Sequence, residues 1–422
     1  MHRVIILPLL ETWKLPSSIN NQIDLKAETG KQNWLSSYVV LALIAVAASN
    51  AAAFALLKHD RFDSPNHCWA YWRTRAWQIA QQSQRKPDAV FFGSSLMVSV
   101  VDDGDASYLD KSLDSLKNNG SRYFQFCAEK TLGKPFRTHS FAIGGQMASD
   151  TLALFRATIA KDKARPLLVW GIGPRDLLDS SFSDAATTET VRYLDRVLYP
   201  QDVLPESKPF WKQCERQIER GIFLYGKRSD SQCLERQLAE QLIGQTIGTK
   251  FDTIHAPKPL LRLAAAQQPE ENAQGEWIVA PYRQKAARLP YWTDNSKEYA
   301  MRYQPFKAKL FASQCQYLDK FLAEAHQMGF PVMLVNMPIL KENSDLLPPG
   351  VYDKYVSCIS QSARKNGATF VDCNSMGAFT RKDFCDPVHL HGLGAQKFLR
   401  IVANRLKNVS DNNAIAGNNT QF

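Results

Sequence analysis

The chain has 422 residues, of which 45% are apolar and 22% charged. It can bury a full core as one large domain with insertions, or as two domains, and it is too apolar for a disordered polymer. Its formal charge of +10 suits anionic partners such as acidic glycans or lipid headgroups. The Lys and Arg residues are dispersed and form no nucleic-acid motif, so no nucleic-acid partner is expected.

In chain order the first feature is Trp34–Leu57, an uncharged stretch of 24 residues, long enough to cross a bilayer as a helix. It starts too late and runs too long for a typical cleaved signal peptide. The expectation is a single-pass signal anchor with residues 1–33 as a cytoplasmic tail. Everything after residue 58 would then be extracytoplasmic, in the periplasm or at the cell surface. A buried soluble helix is the alternative, because the segment is Ala-rich and its flanking charges are weakly biased: Lys26 and Lys31 before it, Lys58 and Arg61 after it.

Past that stretch, Ser64-Pro65 reads as a helix start, with Trp69, Trp72, Ala76 and Ile79 at helical spacing. Strands and helices then alternate. Strands are predicted over Ala89–Phe92, Thr138–Ile143 and Pro166–Trp170, and helices over Tyr123–Leu132 and Ser149–Lys161, the latter with Ser149 as cap. Regularity lapses between about Leu177 and Gln304, which reads as a largely helical insertion. Alternation resumes with a helix over Phe306–Met328 closed by Gly329, a strand over Pro331–Asn336, a helix over Tyr352–Lys365, a strand over Thr369–Asp372 and a helix over Gln396–Leu406. The Asn-rich tail 408–422 reads as disordered. Five apolar strands alternating with helices imply an α/β fold, a parallel sheet covered on both faces within a domain spanning 64–407.

In such sheets ligands bind beyond the carboxyl ends of the strands, and polar or glycine-rich turns sit there. Gly93-Ser94-Ser95 follows the first strand, Gly144-Gly145 the second, and Gly173-Pro174-Arg175-Asp176 the third. After the fifth comes Asp386-Pro-Val-His389. An Asp and a His three apart can share one helical turn, with the carboxylate holding ring Nδ1 and leaving Nε2 free as a base. A serine hydroxyl, an imidazole and oxyanion donors are the parts that acyl transfer needs.

These four segments, in this order, resemble the motif blocks of the SGNH (GDSL-like) hydrolase superfamily over roughly residues 88–176 and 330–406. The resemblance implies a flavodoxin-like three-layer fold with Ser95 as nucleophile, His389 as base and Asp386 as its orienting acid. The Ser95 and Gly145 N–H groups would donate to the oxyanion. Ser94 replaces the usual Asp, as in membrane-anchored relatives that act in D-alanylation of teichoic acid. Arg175 stands where the family has an Asn that donates to the oxyanion. Its guanidinium could donate instead, bind an anionic substrate group, pair with Asp176 or Asp179, or mark a relative that has lost hydrolysis and only binds glycan.

The resemblance therefore implies a membrane-anchored serine esterase or O-acyltransferase acting on a cell-envelope or exported polysaccharide; transfer rather than hydrolysis would need a partner that delivers the acyl group, such as a multi-spanning membrane acyltransferase. No metal or organic cofactor is expected. His391 lies near His389 but has no third metal ligand in view. Gly221–Lys227 nearly spells a P-loop, yet Arg228 stands where Ser or Thr must bind magnesium. Met97 occupies the second Gly position of a Gly-x-Ser-x-Gly elbow. Eight cysteines, none in a CxxC pair, suit an oxidising compartment. Cys373 and Cys385 are the expected disulfide, because the loop between them leads directly to Asp386.

Overall fold

The computed structural model describes residues 38–57, 69–83, 86–110, 118–182, 188–197 and 292–407, with isolated positions between these segments. Trp34, the start at Ser64-Pro65, most of the expected insertion and the tail 408–422 lie outside the described residues. The chain divides after Ala52 into two units.

Helix α1 runs over Tyr38–Leu57 and carries no charge. Among the described residues no helix is long and apolar enough to cross a membrane. Trp34 and the side chains of residues 39, 56 and 57 are outside that description.

The second unit is an α/β fold. Helix α2 (Trp69–Gln82) precedes β1 (Ala89–Gly93), α3 (Ser95–Tyr108), α4 (Arg122–Leu132), β2 (Thr138–Ser140), α5 (Ala148–Leu154) and β3 (Leu167–Ile172). After the sparsely described middle come α6 (Ser296–Tyr303), α7 (Ala308–Gln327), β4 (Val332–Asn336), α8 (Val351–Lys365), β5 (Thr369–Asp372) and α9 (Gly392–Asn404). The five strands form one parallel sheet in the order β2-β1-β3-β4-β5. That is the doubly wound order of flavodoxin-like sheets, whose switch point lies between β1 and β3.

Strand alternation sends successive side chains to opposite faces, and β1 shows both faces covered. The Phe91 ring meets Phe124 of α4 at 5.0 Å, whereas the Phe92 ring meets Phe321 of α7 at 5.7 Å. Trp170, paired with Phe92 in register, also reaches Phe321 at 4.9 Å. Every residue of β1, β3 and β4 is buried, as a sheet sandwiched between helix layers requires.

Several elements differ from their sequence reading. Residues 95–108 form helix α3, which the turn-like Gly-Ser-Ser and the β-branched Val98, Val100 and Val101 concealed. Ser149 does not cap α5. Asp150 does, by accepting the Met147 N–H at 2.8 Å, while Ser149 is buried and bonded to Gln314. Among the described residues one disulfide joins Cys315 of α7 to Cys358 of α8, 43 positions apart, and Cys373 and Cys385 are free thiols. The expected Cys373–Cys385 bond is therefore wrong. The Cys385 thiol instead lies 3.5 Å from the His389 carbonyl oxygen, inside the hairpin. Both ends of the stretch read as an insertion pack on the sheet unit, with Leu177, Leu178, Tyr299 and Tyr303 in its hydrophobic core.

Candidate active site

Gly93 makes the site's first turn possible. Its φ is +149°, and a Cβ there would stand 2.5 Å from the Gly171 carbonyl oxygen of neighbouring β3. Only glycine lets β1 close on β3 and then turn at once into α3. Ser94 is buried at that turn, and Ser95 opens the helix. Its N–H is one of the orphan donors of a helical first turn.

The base comes from the other end of the chain. Residues 383–391 form a tight hairpin closed by a bridge between Phe384 and Leu390. The Cys385 N–H donates to the His389 carbonyl at 2.9 Å and the His391 N–H to the Asp383 carbonyl at 3.0 Å. Asp386 and His389 thus sit on a hairpin tip rather than on the helical turn their spacing allows. Pro387 disfavours helical backbone at Asp386, and Asp386 Oδ1 instead accepts the N–H groups of Val388 at 2.8 Å and His389 at 2.7 Å. The Leu340 N–H ties the tip to the exit of β4 through the Pro387 carbonyl at 2.9 Å. Ser99 of α3 donates its hydroxyl to the Leu390 carbonyl at 2.7 Å.

This scaffold brings three of the expected residues together. Asp386 Oδ2 lies 2.6 Å from His389 Nδ1, and His389 Nε2 lies 2.9 Å from Ser95 Oγ. Burial pushes the Asp386 carboxyl up, but the hydrogen bond and charge of His389, with the two backbone N–H groups, outweigh it and hold the group below the usual carboxylate range. Asp386 therefore stays ionised and fixes Nδ1 as the protonated ring nitrogen, leaving Nε2 to accept from the serine.

Gly145 is also at the sheet's carboxyl edge, with φ +83°. Arg175 is 5% exposed, and its guanidinium is committed elsewhere: Nη2 and Nε donate to Asp179 Oδ2 at 2.6 and 2.9 Å. Nη2 also reaches the Gly145 carbonyl at 3.4 Å. Of the pairings its sequence allowed, the one with Asp179 is made. Among the described residues Nη1 has no hydrogen-bond partner.

The sequence did not reveal the buried charge behind this loop. Asp179 also takes Arg302 Nη1 at 2.7 Å. Burial raises its carboxyl, yet Arg175, Ser181 and Arg302 win and hold it low. Asp176 and Asp150 go the other way: burial pushes them up to about 6 and about 7, with Arg175 only partly offsetting it. Tyr299 is buried in the electrostatic range of Arg175, Asp386 and Asp176, and burial chiefly raises its phenol. No motif marks Tyr299 or Arg302, because their stretch of sequence has no regular periodicity.

His391, the other candidate metal ligand, caps α9 by accepting the Leu393 N–H at 3.1 Å. Among the described residues no cluster of His, Cys, Asp and Glu side chains could hold a metal ion.

No curated protein matches the chain. A protein-family model matches residues 299–411 and assigns no activity. That stretch holds Asp386 and His389 but not Ser95.

Proposed function

We propose that this chain is a membrane-anchored, extracytoplasmic serine esterase or O-acyltransferase of the SGNH type, acting on acyl esters of a cell-envelope or exported polysaccharide. The relay from Ser95 through His389 to Asp386 carries this reading, since each link has hydrogen-bond length. The strand order supports it, because Ser95 and Arg175 follow β1 and β3, the strands that flank the switch point, and Gly145 follows β2 beside them.

In the mechanism, His389 Nε2 takes the Ser95 hydroxyl proton as Oγ attacks the acyl carbonyl carbon. The N–H groups of Ser95 and Gly145 hold the oxyanion, with Arg175 Nη1 as a third donor. The tetrahedral intermediate collapses, and His389 returns the proton to the departing oxygen. Water, or a glycan hydroxyl, then attacks the acyl-serine with His389 again as base. Transfer rather than hydrolysis requires a partner that delivers the acyl group, and a multi-spanning membrane acyltransferase fits that role.

The anchor rests on the uncharged Trp34–Leu57 stretch and on α1, where Leu41, Leu43, Ile44, Val46 and Phe54 are all exposed. The Cys315–Cys358 disulfide favours an oxidising compartment.

A fluorophosphonate probe tests the enzyme reading. Labelling at Ser95 that is lost in Ser95→Ala supports it. An unlabelled wild-type protein refutes it and favours a catalytically silent glycan-binding or assembly protein on the same fold.

A further inference from the structure

Helix α6 bridges the two halves of the candidate site. In the segment that leads into it, the Thr293 N–H donates to the Cys385 carbonyl at 2.9 Å, one residue before Asp386. At its other end Arg302 Nη1 donates to Asp179 Oδ2 at 2.7 Å, and the Ser180 N–H donates to the Arg302 carbonyl at 2.6 Å. Asp179 in turn holds Arg175, whose turn lies against the nucleophile's neighbours. A Cβ at Gly173 would stand 2.5 Å from Leu96 Cδ1, and the Ser94 hydroxyl is buried beside Asp176. One end of α6 is thus fixed to the acid end of the relay and the other to the loop beside Ser95.

Tyr299 lies midway along α6, between those ties. Its side chain is buried, with the ring 5.7 Å from that of Tyr303. Other buried tyrosines at this edge of the sheet spend their hydroxyls on the protein. Tyr303 donates to Asn343 Oδ1 at 2.8 Å, and the Tyr355 hydroxyl reaches the Ile172 carbonyl at 2.9 Å. Among the described residues the Tyr299 hydroxyl has no hydrogen-bond partner. Nor is it sealed in: Asn295 Oδ1 and Asn343 Nδ2 are enclosed without a partner, whereas the Tyr299 oxygen keeps contact with solvent. A ring fixed by packing with only its hydroxyl open is a donor held ready for something outside the protein.

The surroundings define what that is. Burial raises the Tyr299 phenol well above the ordinary tyrosine range, with Arg175 opposing and Asp386 and Asp176 adding, so the group stays an O–H donor. The same three charges place the ring in the space between the relay and the Arg175 turn. Asp386 is already bound to His389, and Arg175 to Asp179. With these charges paired, the donor fits an uncharged acceptor oxygen rather than an ion.

We propose that Tyr299 is a substrate-binding residue of the candidate site, whose hydroxyl donates to an uncharged oxygen of the bound sugar ester. The inference rests on the polysaccharide-ester reading above. Tyr299 takes no proton from the reaction. It holds the ester in register with Ser95 Oγ, so its loss weakens binding and leaves the reactivity of the serine unchanged.

The test uses the full chain and protection of Ser95 from a fluorophosphonate probe. Glucose pentaacetate and acetylated xylo-oligosaccharide are the competing esters, and their protection curves give apparent affinities. At least one should protect the wild type. Tyr299→Phe keeps the ring against Tyr303 and removes only the hydroxyl. It should weaken protection by about tenfold, while its labelling rate without competitor stays within about twofold of wild type and its melting temperature stays near wild type. Tyr303→Phe, which removes a hydroxyl already spent on Asn343, should protect as the wild type does.

Three results overturn the role of Tyr299: neither ester protects the wild type, Tyr299→Phe is protected as well as the wild type, or the two Phe variants lose protection equally. A wild type that never labels refutes the esterase instead. Saturation-transfer NMR titration with the same two esters then compares the affinities directly. Weaker binding by Tyr299→Phe alone leaves its role standing, and equal binding removes it.

Discussion

Asp179 takes two donors of Arg175 on one carboxylate oxygen, from a position four residues further on in the same short helical segment. Both side chains are buried, and removing one leaves the other's charge poorly compensated. Asp179→Ala should therefore destabilise the fold by about 3 kcal/mol, read as a shift in the urea midpoint, and Arg175→Ala by less, because Arg302 still pairs with Asp179. Removing both partners should cost less than the sum of the single changes. Additive losses would mean that the pair is not the structural element it is drawn as.

Ser95→Ala and His389→Ala should each lower acyl-ester turnover by roughly 10⁴ or more, because members of such a relay act as a unit. Their melting temperatures should stay near wild type. Ser94→Ala should keep fluorophosphonate labelling, since its hydroxyl is buried beside Asp176. Labelling that survives in Ser95→Ala and vanishes in Ser94→Ala would place the nucleophile one residue earlier.

Residues after the anchor should lie outside the cytoplasm. A C-terminal reporter that works only after export should be active, and its cytoplasmic counterpart silent. The reverse pattern would exclude the anchor orientation.

Four buried carboxyls set a pH dependence of stability. Burial raises Asp102 and Asp150 to about 7, and Asp105 and Asp176 to about 6. Their folded values exceed the unfolded one, so their contribution is complete below about pH 4 and is lost as pH rises toward 7. Each changes stability by roughly 1.4 kcal/mol per pH unit in that window. His139 opposes them, because burial lowers it to about 3 and it gains stability over part of the same range. The net expectation is a urea midpoint that falls from pH 4 to pH 7. Asp102→Asn should flatten the fall, and an unchanged slope in that variant would remove Asp102 from the account.

The parts of this molecule that were legible in sequence are those with local causes. The strand Ala89–Phe92 is an apolar run bounded by a turn, and it is β1 to within a residue. Gly329, at φ +75°, closes α7 as its position foretold. The chemistry-bearing turns could be placed because a parallel sheet sends every strand's carboxyl end to one edge. What stayed hidden depends on long-range partners. Asp386 and His389 have helical spacing, yet Pro387 and the Phe384–Leu390 bridge impose a hairpin. Cys373 and Cys385 are close in sequence, yet Cys315 and Cys358 are the pair that adjacent helices bring together. Tyr299 and Arg302 face the site from α6, a helix of eight residues and too short to show an apolar period.

The close fit of α9 against α3 has a consequence for the order in which the molecule is made. Gly392 approaches Ser107 and Gly394 approaches Asp383 so closely that a Cβ at either would collide. Ser95 is synthesised long before the segment that covers its helix, and its imidazole partner stands 294 positions downstream. A growing chain can pair β1, β2 and β3 while one side of α3 is still bare. The Ser95 hydroxyl at its head has no imidazole beside it until the segment carrying His389 folds back onto α3. The Ser95–His389–Asp386 relay is then among the last contacts the chain makes, and a ribosome-stalled or C-terminally clipped product would hold a mostly finished sheet with the relay unassembled.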